Sequence, residues 1–198
     1  MKKILVCALA VAALLCVCVS ALALGGADFK LTGYVEGTLL YDAKSIGPME
    51  GPGEFYHHVT LNRNLPKGSK VKVYSQLYDD TDMTWILVEA NGQWFYLLQD
   101  DGAGTVFVRC NMKKVPKEAP QAIDSWLCTC YETQYLRSGP GTKYALTGFA
   151  MARWENAWVV LVKGDWALVE CTNAYDDGVS YYNVYVRRGW VPFSELMY

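Results

Sequence analysis

Trp166-Ala167-Leu168-Val169-Glu170 decides how the chain is read. Lys163-Gly164-Asp165 precedes it, a tight turn between two apolar runs. A close copy, Trp85-Ile86-Leu87-Val88-Glu89, lies 81 residues earlier. There Asn91-Gly92 follows and leads into Gln93 to Leu98. Asn and Gly suit a type I′ hairpin turn because both central residues need positive φ. In the later copy Asp177-Gly178 leads into Ser180 to Val186 in the same way. Side chains alternate along a strand, so Trp and Leu share one face and Val takes the other. Glu falls on the Trp face near the strand end, where it is expected to reach solvent.

Working outward, further blocks repeat in the same order. Gly51-Pro52-Gly53-Glu54-Phe55-Tyr56 resembles Gly139-Pro140-Gly141-Thr142-Lys143-Tyr144 at an offset of 88, and Val71-Lys72-Val73-Tyr74 falls on Val159-Val160-Leu161-Val162 at that offset. Gly104-Thr105-Val106 matches Gly189-Trp190-Val191 at 85. Matched blocks with length changes confined to loops indicate an internal duplication. Between the copies, Asn111 to Ser125 holds Pro116, Pro120 and scattered charge without an aromatic residue, which reads as a linker. Outside the first 24 residues no window carries the 3.6-residue apolar period of a long helix. The expected fold class is all-β: two tandem small barrels, at 28–111 and 125–198, joined by a linker at 112–124. Each is expected to close on its own core as a five- or six-stranded barrel, with Trp85 and Trp166 at equivalent positions.

The amino-terminal end reads as an export signal. Lys2 and Lys3 precede an uncharged stretch from Ile4 to Leu24, and Ala21-Leu22-Ala23 has the small-x-small pattern of a cleavage site. Residues 1–23 are therefore expected to be a signal peptide, although the stretch is also long enough to span a bilayer. Cleavage takes Lys+Arg from 18 to 16 against 20 Asp+Glu, a net charge of about −4. That balance argues against a nucleic-acid partner, which needs a basic face. Cys110, Cys128, Cys130 and Cys171 remain after cleavage. An even count in an exported chain permits two disulfides, and four buried thiols are the alternative.

Leu136-Arg137-Ser138-Gly139-Pro140-Gly141-Thr142-Lys143-Tyr144, then Gly164-Asp165-Trp166, then Arg188-Gly189-Trp190-Val191, resembles the signature of bacterial SH3-like (SH3b) domains. The likeness covers 125–198 and reaches the divergent first copy through the repeat; there Met49-Glu50 replaces Arg-Ser and Gly104-Thr105 replaces Gly-Trp. The resemblance implies SH3-like barrels on an exported or envelope-associated protein that binds peptidoglycan peptides or other surface ligands.

Catalytic signatures are missing. The only histidines, His57 and His58, lie beside no cysteine in sequence, and Gly-x-Ser-x-Gly is absent. Cys128-Thr129-Cys130 lacks zinc-knuckle spacing, and Asp79-Asp80-Thr81-Asp82 lacks the Gly and distal Glu of a calcium loop. The chain is expected to be non-enzymatic, without metal or cofactor. The ligand-binding residues expected in the second copy are Arg137, to pair with a carboxylate, and Tyr144, Trp154 and Tyr182, as an aromatic platform. Those aromatics meet a ligand or pack against the sister domain; either buries the same surface. The expected partner is peptidoglycan or another cell-surface ligand, with an exported protein as the alternative.

Overall fold

A computed structural model describes residues 30–53, 56–78, 82–118, 127–172 and 186–197. The proposed signal peptide, Asp79 to Thr81, linker residues 119–124, the Asp177-Gly178 turn and Tyr182 lie outside the described residues. The fold is all-β, two curled antiparallel sheets that form half-barrels.

The first lobe has strands β1 (Val35–Leu39), β2 (Lys70–Tyr78), β3 (Thr84–Ala90), β4 (Gln93–Asp100) and β5 (Val108–Arg109), plus a one-turn helix α1 (Ala43–Ile46). Their order is β4-β3-β2-β1-β5. The second lobe has β6 (Leu127–Cys130), β7 (Gln134–Arg137), β8 (Leu146–Met151), β9 (Ala157–Lys163), β10 (Trp166–Thr172), β11 (Val186–Pro192) and β12 (Leu196–Met197). These run β12-β6-β9-β10-β11-β7-β8. The Asn91-Gly92 turn joins β3 to β4, with φ of 50° and 75° at its two residues, as the type I′ reading requires.

The Trp-x-Leu-Val segments are β3 and β10, and their faces alternate. Ile86 and Val88 point into the first lobe's own core with Leu39, Val73 and Phe95. Ala167 and Val169 point into the second lobe's core with Cys128, Leu136 and Met151. Trp85, Leu87, Leu168 and Trp190 instead join a third core with Tyr56, Tyr74, Trp94, Tyr96 and Tyr144, and Trp166 packs against it. This third core contains residues of both lobes, which corrects the expectation that each copy closes on itself. The physical reason is size. Each half-barrel interior is filled mainly by aliphatic side chains, and the large rings bury their area against the facing sheet.

Two further corrections concern the matched strands and the segment read as a linker. Tyr96 stands opposite Leu87 and Trp190 opposite Leu168, so β4 is the counterpart of β11. Gly104-Thr105-Val106 lies in the loop after β4 and is not that strand. Residues 112–118 of the segment read as a linker pack on the first lobe. Val115 and Glu118 are buried, and Glu118 N donates to Gln76 O at 2.9 Å. Among the described residues the four cysteines are free thiols, three of them buried in the second lobe's core. Burial pushes the Cys128 thiol up to about 12.

Candidate functional site

The two Gly-Pro-Gly loops build the seam, and their geometry matches. Gly53 and Gly141 have φ of 148° and 151°, and each carbonyl accepts from the amide of the loop tyrosine, Tyr56 or Tyr144. Gly51 and Gly139 let those rings lie flat on the backbone; a Cβ would come within 2.3 Å of Tyr56 and 2.6 Å of Tyr144. Both rings then cross into the other lobe's half of the shared core.

What each ring meets differs. Tyr56 lies over Arg188, and its hydroxyl donates to Glu170 Oε2 at 2.5 Å. Arg188 is fully buried. Its Nε donates to Glu170 Oε2 at 2.5 Å and its Nη1 to Glu118 Oε2 at 2.8 Å and Tyr96 Oη at 2.9 Å. Tyr96 and Ser75 hydroxyls donate to Glu118 Oε1 at 2.5 and 3.0 Å. Burial works against the guanidinium charge, but facing Tyr56, Tyr96, Glu118 and Glu170 hold its pKa well above the ordinary value. Glu170 is therefore paired and buried, not solvated as its place near a strand end suggested.

Tyr144 meets an aromatic stack instead. Gly139 and Tyr144 pack beside Trp94, which stacks on Tyr74 at 4.3 Å and meets Trp190 edge-on at 5.5 Å. Lys163 Nζ lies 4.2 Å above the Tyr74 ring. Trp94 Nε1 is buried with no hydrogen-bond partner among the described residues.

Between the lobes lies a cleft of about 360 Å³. Matched positions of the two copies line it: Leu87 with Leu168, Trp94 with Arg188, Tyr96 with Trp190, and Glu50 with Ser138. Glu50 stands immediately before the first Gly-Pro-Gly loop, and Arg137 two residues before the second, at the place that Met49 takes in the first. Burial pushes the Glu50 carboxyl up to about 7. Arg137 Nη1 donates to the carbonyls of Thr142 at 3.2 Å and Tyr144 at 2.9 Å. Those bonds fix the guanidinium and leave its other donors for a guest. The cleft thus sets Glu50 and the partly free guanidinium of Arg137 over an aromatic floor, with the buried Arg188 committed to Glu170 and Glu118.

The residues expected from sequence do not converge. Arg137 lines the cleft, Tyr144 is buried in the seam, and Trp154 lines a different pocket. Of the two readings for the aromatics, packing against the sister lobe is the one that describes Tyr144. Glu50, Trp94, Glu118 and Arg188 were missed. For Arg188 and its partner Glu170 the available signal was a charge beside apolar residues in a strand, as in Val169-Glu170-Cys171 and Arg188-Gly189-Trp190; Glu50, Trp94 and Glu118 carried no such signal. Among the described residues no three His, Cys, Asp or Glu side chains converge as metal ligands. No protein-family model matches the chain, and no curated protein matches it.

Proposed function

We propose that the chain is an exported, non-enzymatic binding protein of two SH3-like lobes behind a cleaved signal peptide, and that it recognises the peptide part of peptidoglycan outside the cytoplasm. The observation that carries the ligand class is the cleft, which sets Glu50 and Arg137 in one aromatic-lined cavity. A short wall peptide offers an ammonium for the acid, a carboxylate for the guanidinium and aliphatic side chains for the rings. Buried scaffolding on both sides pre-organises the cleft, which lowers the ordering cost of binding.

Mature protein is expected to co-sediment with purified sacculi, and Glu50→Gln to weaken that binding without lowering the melting temperature. Failure to sediment with sacculi of several wall chemistries sinks the proposal. A second reading, docking of an exported protein, draws on β8. This strand ends its sheet and shows Leu146 to solvent, as strand addition requires. Specific capture of one secreted protein, with sacculi ignored, selects that reading.

A further inference from the structure

We propose that the turn between β8 and β9 is a second binding site, separate from the cleft, and that it takes the face of a sugar ring in a glycan. The chain makes a turn there by donating Glu155 N to Ala152 O at 2.9 Å. Trp154 occupies its third position with φ of 65°. Type II turns take Gly or Asn at that position, because a Cβ is strained at positive φ. A tryptophan is a costly choice for the fold, and burial returns little of that cost: the residue is 55% exposed. Strain at an exposed aromatic residue points to selection for what the ring contacts.

The surroundings fix the ring and supply polar groups. Trp154 N donates to Cys130 O at 3.1 Å, and Tyr131, itself exposed, meets the indole edge-on at 6.0 Å. The Arg153 guanidinium lies 5.3 Å over the ring. Beside the ring is an open pocket of about 530 Å³ whose lining includes Thr133, Glu155 and Arg187. Arg187 pairs with Glu155 and donates to Ala150 O at 2.5 Å, while its Nε is buried with no partner among the described residues. Glu155 Oε2 also accepts from Ala152 N at 2.7 Å, which braces the turn.

These groups match carbohydrate better than an apolar peptide. A pyranose presents a flat C–H face to an indole, and its hydroxyls both donate and accept beside that face. A charge-paired Arg–Glu couple with a hydroxyl near an exposed ring provides both complements without demanding a charged ligand. The cleft has no part in this argument and shares no lining residue with the pocket.

The test titrates the full mature chain with chito-oligosaccharides, with malto-oligosaccharides alongside, following tryptophan fluorescence and heat. Saturable binding of at least one glycan series is expected. Trp154→Gly should weaken it at least about tenfold while the melting temperature holds or rises. Trp154→Phe should fall between the two, and Glu50→Gln should bind like wild type. Absence of saturable glycan binding, or binding unchanged in Trp154→Gly, overturns the proposal; so does a Trp154-dependent response to lipid vesicles or peptides alone. Sacculi binding that survives Trp154→Gly leaves the cleft reading standing, so the two proposals fail separately.

Discussion

Arg188 and Trp94 occupy matched places, each opposite the Glu that ends a Trp-x-Leu-Val-Glu segment. One is the hub of a buried ion cluster and the other of an aromatic stack. The loops that reach them share their glycine geometry and their tyrosine. The matched glycine–tyrosine loops thus fix where the chain crosses between lobes, while the chemistry at each crossing differs. An ionic half specifies geometry through directional bonds, and an aromatic half supplies buried area. A seam with one of each is held both in register and in energy.

The sharpest way to break the comparison is at its ionic end. Arg188→Ala leaves Glu118 and Glu170 buried without their cation, at a cost of about 3–5 kcal/mol. Because the cluster joins both lobes, denaturant unfolding should stay a single shifted transition. Two separated transitions, with the first lobe unaffected, would mean that the seam does not couple them. Replacing Arg188, Glu118 and Glu170 together with Met, Gln and Gln should recover much of the loss, since no unpaired charge remains. Trp94→Ala tests the aromatic end. It empties a ring-sized volume and should cost about 3 kcal/mol; no triple replacement of neighbours is expected to rescue it, because the lost quantity is area. Equilibrium unfolding of both series distinguishes the two kinds of hub.

The loops offer a test of equivalence. Gly51→Ala and Gly139→Ala each drive a methyl into the tyrosine ring below, at 2.3 and 2.6 Å before relaxation. Each should cost about 1–3 kcal/mol, and by similar amounts. A large loss at Gly139 with none at Gly51 would show that only the second loop is held by its ring.

Much of this was legible in sequence, and the boundary has a physical cause. Period-two alternation places Trp85 with Leu87 and Trp166 with Leu168 whatever lies opposite, so the strands and their faces could be read. Which face is interior and which is seam depends on how two sheets meet, and no local pattern encodes that. For the same reason Tyr144 read as a platform residue and proved to be packing. Gly104-Thr105-Val106 misled because three residues of composition imitate a strand end, whereas β4 carries Tyr96 in register with no shared motif. Arg137 was placed beside a cleft by its motif, but Glu50 was passed over because it interrupts that same motif in the first copy.

Glu50 gives the smallest effect and the one that bears on both proposed chemistry and stability. Its folded pKa of about 7 lies above the ordinary value of 4.5 because burial penalises the charged form. Between those values the folded chain therefore holds more of this proton than the unfolded chain does. The group's contribution is fully present below about 4.5 and is lost as pH rises through about 7. The loss should be on the order of 1 kcal/mol, since solvent reaching the half-buried carboxyl screens much of the shift. Glu50→Gln removes it: the variant should match wild type near pH 4 and be the more stable near pH 8, with a flatter curve between. Measured by denaturant midpoints across that range, parallel curves would mean that Glu50 is solvated in the folded chain. A cationic guest in the cleft should act in the opposite sense to burial, holding the carboxylate charged and releasing a proton as it binds. Its affinity for wild type should then rise as pH passes about 7, while Glu50→Gln binds it weakly at every pH.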